Sequence, residues 1–159
     1  VGGFYYVTRF GPATGCTNSS YRLFVGLRNT TSARTDTEPS ADVNVIGVGA
    51  DAADTNFQML CNDGTGACTK TDTGIALPTT DRTGWYQLEL WCASNDTTFY
   101  YRFTDLTSGT VFEGNFGTTN IPSTSTYLAE HWTMSVGGVS SVVGIAIGGA
   151  YAVVLEDGA

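Results

Sequence analysis

The chain has 159 residues, enough for one domain with a sizeable core, and a formal net charge of −8. Its one lysine and six arginines are scattered, which argues against nucleic acid and anionic membrane as partners, since both need clustered cations. Only 14% of residues are charged, against roughly 25% in an average protein, and Thr, Ser and Gly fill the difference. There is no run of apolar residues long enough for a membrane helix.

In chain order, Phe4 to Phe10 is aromatic and extended and reads as a first strand. Gly11 to Ser20, with Pro12, reads as a loop. Tyr21 to Leu27 is a second strand, with Tyr21, Leu23, Val25 and Leu27 on one face and Arg22, Phe24 and Gly26 on the other. Asn29 to Asp42 is polar loop, with a short helical turn near Ser40 to Asp42. From Asn44 to Lys70 the pattern is strand, loop, strand, tight turn, strand, and Asn62-Asp63-Gly64 supplies the turn.

Thr73 to Pro78 reads as an edge segment ended by proline. Trp85 to Cys92 is the clearest strand: Tyr86, Leu88, Leu90 and Cys92 form its core face, and Trp85, Gln87, Glu89 and Trp91 a partly exposed one. Thr98 to Leu106 and Thr110 to Phe116 complete a meander with it. Tyr127 to Val136 fits a strand or a short helix, and Gly137-Gly138 favours the strand. Ser140 to Leu155 closes the chain with small and β-branched residues. Turn signals about every ten residues predict an all-β, antiparallel sandwich or barrel. The chain does not begin with Met and ends in Glu-Asp-Gly-Ala, so residues 1–159 are expected to be one β-sandwich domain, a fragment or module of a longer polypeptide.

Residues that carry chemistry are sparse. Four cysteines are present. In a regular hairpin Cys61 and Cys68 would sit opposite each other at a spacing that a disulfide tolerates; the alternative is two reduced thiols. Their spacing is not a zinc pattern. Asp51 and Asp54 lack the alternating ligands of a calcium loop and read as loop-forming side chains. Glu89 and Glu113 are the nearest approach to a glycosidase pair, with Glu89 between Trp85 and Trp91 on its face, but the bland reading is two solvated strand carboxylates. His131, beside Trp132, is the only histidine and reads as a packed structural residue. No catalytic residue, metal ligand or cofactor is expected, and the chain is not expected to be an enzyme.

Phe24-Val25-Gly26-Leu27, Ile46-Gly47-Val48-Gly49, Asp54 to Gln58, Asn62-Asp63-Gly64, Tyr86 to Leu90, Tyr101-Arg102-Phe103, Tyr127-Leu128-Ala129 and His131-Trp132 occur in an order that resembles a structural module of tailed bacteriophages, found in tail fibres and tailspikes. Cys61, Cys68 and Glu130, the last where proline is expected, depart from that pattern. The resemblance implies a concanavalin-like jelly-roll β-sandwich displayed on the virion surface as a homotrimer beside other virion proteins. It implies attachment to a host cell-surface glycan or support of a fibre. A capsid decoration protein is the alternative, and a polysaccharide-degrading enzyme a more distant one.

Overall fold

A computed structural model describes residues 3–18, 20–34, 36–138 and 140–155. The terminal Glu-Asp-Gly-Ala, read above as a fragment end, lies outside the described residues. Ten strands account for nearly all regular structure: β1 (Gly3–Thr14), β2 (Arg22–Arg28), β3 (Val45–Ala50), β4 (Asn56–Asn62), β5 (Thr69–Ala76), β6 (Tyr86–Cys92), β7 (Tyr100–Asp105), β8 (Val111–Asn115), β9 (Ala129–Ser135) and β10 (Gly144–Leu155). Among the described residues a single 3-10 turn, Pro39–Ala41, falls where the helical turn is expected.

The strands form two five-stranded sheets, in the orders β10-β1-β6-β7-β8 and β5-β4-β3-β2-β9. Every paired neighbour is antiparallel. The sheets stack face to face as a jelly-roll sandwich, so each inward row of alternating side chains meets the row opposite. Phe57 from one sheet packs on Tyr86 and Phe103 of the other, with ring centroids 4.7 and 5.0 Å apart, and Phe10 closes the group. Burial of aromatic rings of this size is the main force holding the two sheets together.

The β6 alternation is observed as expected, with Tyr86, Leu88, Leu90 and Cys92 buried. Tyr127 to Val136 resolves as strand β9, because its backbone pairs along the full length of β2. Glu130 takes a regular place there opposite Leu27.

One expectation is corrected. Pro12 lies in β1, not in a loop. It sits beyond the last β1–β6 pair, Phe10 with Tyr86, and beside a register shift against β10, where a missing N–H is tolerated. Of the two alternatives for Cys61 and Cys68, the structure has the free thiols, as it does at Cys16 and Cys92. The β4–β5 register sets Cys61 opposite Thr69, leaving Cys68 before β5 begins. The Cys61 thiol donates to the Asn120 carbonyl, while the Cys68 thiol lies 3.3 Å from the Asp42 carbonyl. Burial, then neighbouring charge, pushes the Cys61 thiol up strongly and the Cys68 thiol up to about 12, which disfavours the nucleophilic thiolate at both.

Candidate functional site: the outer face of the β10-β1-β6-β7-β8 sheet

The two outer faces of the sandwich differ. The outer face of the β5-β4-β3-β2-β9 sheet is covered. β3 is buried at every position, and Phe24, Val45 and Leu60 form a second small core beneath residues 29–34 and 36–44. The cover has few apolar residues and is held by charge instead. Asp42 pairs with Arg34 and, at 3.4 Å, with Arg28. Arg22 reaches Glu38 at 2.8 Å. Burial, then the Arg28 charge, pulls the Arg34 guanidinium down to about 10, so it remains cationic at neutral pH.

His131 belongs to this cluster. It is buried, lies near the Phe24 ring, and its Nε2 is 3.2 Å from Arg28 Nη1. Burial, then the Arg28 and Arg34 charges, lowers its pKa from the usual 6.5. The neutral imidazole accepts the guanidinium hydrogen bond, a packed structural role. The folded value lies below the unfolded one, so this contribution to stability is complete above pH 6.5 and is lost as pH falls through the folded value. The urea midpoint is therefore expected to drop between pH 7.5 and 5.5, and His131→Gln is expected to remove part of that drop.

Asp51 and Asp54 are also structural. Their carboxylates hold Lys70 at 2.9 and 2.7 Å and accept backbone N–H bonds from Ser40 and Asp51. Trp132 points to the main core opposite Val25.

The other outer face is open, and the strand registers arrange it in rows. One row is Val153, Tyr5, Trp91, Tyr100 and Asn115. The next is Tyr151, Val7, Glu89, Arg102 and Glu113. The third is Gly149, Arg9, Gln87, Thr104 and Val111. Trp91 and Tyr100 stack with centroids 5.7 Å apart and planes 14° apart.

Trp85 lies past the third row on a bed of glycine. A Cβ built on Gly148 would sit 3.1 Å from the ring atom Cζ3, and one on Gly11 3.5 Å from Cδ2. The absence of side chains there lets the indole lie across β1 and β10 while 44% of the residue stays exposed.

Between the aromatic ends runs a fixed polar line. Tyr5 Oη donates to Glu89 Oε2 at 2.7 Å, Gln87 Nε2 donates to Glu89 Oε1 at 2.9 Å, and Arg9 Nε donates to Gln87 Oε1 at 2.7 Å. Burial and the Glu89 bond push the Tyr5 phenol up to about 12, so it stays a donor.

Glu89 and Glu113 do share this face, but β7 lies between their strands. Two strand spacings separate their backbones by roughly 9.6 Å, and Arg102 occupies the intervening register position, its Nε 3.7 Å from Glu113 Oε2. Glu113 is thus ion-paired at the surface and Glu89 is held in the hydrogen-bonded line. The sequence located Trp85, Glu89 and Trp91 on one exposed face. It did not reveal Tyr5, Arg9 or Tyr100 as their neighbours, since only the strand order brings β1 and β7 alongside β6.

No family model and no curated protein matches the chain. Among solved structures it is similar to a lectin, UEA-II, complexed with galactose. The TM-score is 0.63 at 9% identity, over 98% of this chain and 73% of that one. It is also similar to peanut lectin with a 9mer peptide, with a TM-score of 0.51 at 9% identity, over 99% of this chain and 74% of that one. At such identity the likeness shows the fold, a concanavalin-like jelly roll.

Proposed function

We propose that this chain is a carbohydrate-binding module that holds a neutral oligosaccharide on the outer face of the β10-β1-β6-β7-β8 sheet. The observation that carries the reading is the arrangement along β6: exposed Trp85, then Gln87 and Glu89 in a fixed hydrogen-bonded line, then Trp91 stacked on Tyr100. Sugars present apolar C–H faces and a rim of hydroxyls, and they bind where flat aromatic surface alternates with preset donors and acceptors. Trp85 to Trp91 spans six residues, roughly 20 Å along a strand, which suits several sugar rings in a row. The lectin neighbours lend support at the level of fold. The net charge of −8 disfavours anionic glycans.

Binding without cleavage is the reading these contacts favour, since Glu89 is held by Tyr5 and Gln87 and Arg102 stands between it and Glu113 in the register. The test is incubation with neutral polysaccharides while binding and release of reducing ends are both followed. The expected result is saturable binding with no release. Sugar release that Glu89→Gln abolishes would overturn the reading.

A place on a phage virion, as tail fibre, spike or capsid decoration, rests on the sequence resemblance alone, as does assembly into a homotrimer. A glycan-binding face fits host attachment by a fibre or spike better than it fits capsid decoration.

A further inference from the structure

The polar line between Trp91 and Trp85 has a direction. At the Trp91 end Tyr5 donates its hydroxyl proton to Glu89, and the Glu89 carboxylate accepts that bond and one from Gln87. Tyr5 and Glu89 therefore offer a ligand acceptors. At the Trp85 end the order is reversed. The Gln87 amide is oriented by its neighbours: a guanidinium donates and a carboxylate accepts, so the amide oxygen faces Arg9 and the nitrogen faces Glu89. That oxygen is engaged by Arg9, which leaves one amide N–H. Arg9 uses Nε on Gln87, and its two Nη groups have no partner among the described residues. Arg102 flanks Glu89 on the β7 side, with its Nε towards Glu113. The free groups at the Gln87–Arg9 end are donors. This end adjoins the Trp85 platform. A Cβ built on Gly148 would lie 3.1 Å from Trp85 Cζ3 and 3.4 Å from Arg9 Cβ, so the indole and the Arg9 stem border one notch floored by Gly148.

We infer, taking the open face as a glycan site, that its Gln87–Arg9 end recognises an acyl group: the ligand is a neutral glycan whose ring beside Trp85 carries an acetamido or O-acetyl substituent. A hydroxyl both donates and accepts and suits either end of the line. An acyl carbonyl has two lone pairs and no proton, and it takes the Gln87 and Arg9 N–H groups together. The bond from the guanidinium is of the stronger, charge-assisted kind. The acyl methyl then falls on the side of Trp85, whose flat ring lies over Gly148 and Gly11. Free donors and an aromatic surface next to them match the two halves of one acetyl group. A carboxylate would also meet the donors, but it would stand beside Glu89 in a chain of net charge −8. The same carbonyl at the Tyr5–Glu89 end would meet acceptors, an unfavourable contact, so the acyl-bearing ring belongs over Gln87 and Arg9.

Calorimetric titration with matched tetrasaccharides tests it, run on the wild type and on Arg9→Met, which removes the donors at an exposed position and keeps most of the stem. One pair is chitotetraose against cellotetraose, which differ by an acetamido group in place of a hydroxyl on each ring. The second is xylotetraose with and without O-acetyl groups, and tetragalacturonate is the charged probe. The wild type is expected to bind the acetylated member of at least one pair roughly tenfold or more tightly than its partner, the scale of one hydrogen bond to a charged group. The pair that responds distinguishes an acetamido from an O-acetyl ligand. Arg9→Met should bring the two members of that pair within about threefold of each other, with the unfolding midpoint unchanged. Equal affinity within both pairs, a preference that Arg9→Met retains, or tightest binding of the galacturonate would overturn this inference and leave the glycan-binding face standing. No binding of any tetrasaccharide would overturn both.

Discussion

Asp42→Ala is expected to cost about 3–5 kcal/mol, the range seen when one partner of a buried ion pair is removed. Among the described residues Asp42 is the only carboxylate paired with Arg34 and Arg28, and the three side chains are 9%, 6% and 14% exposed. Without it two guanidinium groups face each other in a poorly solvated site, beside a histidine whose pKa is lowered by burial and then by their charges. The cover formed by residues 29–34 and 36–44 then loses its main anchor, and Phe24, Val45 and Leu60 gain exposure to water. Denaturant unfolding with linear extrapolation measures the cost, and dye binding reports the uncovered apolar surface. A loss below about 1 kcal/mol, the level of a surface ion pair, would show that the cover is held by something else.

Truncating the aromatic ends of the open face is expected to have the largest effect on ligand binding. Trp85→Ala and Trp91→Ala should each weaken oligosaccharide binding about 10- to 100-fold, which is about 1.4–2.7 kcal/mol, the scale of aromatic anchors in other interfaces. Trp85 is the cleaner case. Its indole rests on backbone at Gly11 and Gly148, so removal takes away contact surface without opening the core. Trp91→Ala also breaks the stack with Tyr100 and adds some loss of stability. Trp132 provides the contrast: it packs against the main core, so Trp132→Ala should destabilise the fold while leaving the binding of the folded fraction unchanged.

Much of this architecture is written locally. The alternation of Tyr86, Leu88 and Leu90 against Gln87, Glu89 and Trp91 fixes both the strand and the face it buries. Asn62-Asp63-Gly64 marks its hairpin, with Asn62 Oδ1 accepting from the Gly64 N–H. Other features depend on pairings distant in sequence. Tyr127 to Val136 suits helix or strand until β2 lies beside it. Phe24 looks outward from its own strand, because the cover that buries it comes from a polar segment whose hold is the Arg–Asp cluster. The glycines beneath Trp85 come from opposite ends of the chain, and only the pairing of β4 with β5 sets Cys61 opposite Thr69 and not opposite Cys68. The candidate site was half legible for the same reason: β6 announces its own row, and β1 and β7 supply the rest.

The central claim is that the open face holds an extended neutral glycan between Trp85 and Trp91. Calorimetric titration of a chain-length series of oligosaccharides from a bound polysaccharide tests it most directly, run on the wild type, Trp85→Ala and the paired Trp85→Ala/Trp91→Ala variant. Affinity should rise with chain length in the wild type, level off earlier in Trp85→Ala, and vanish in the paired variant while the fold is retained. Binding that is strongest for a single sugar, or that survives the paired substitution, would contradict the account.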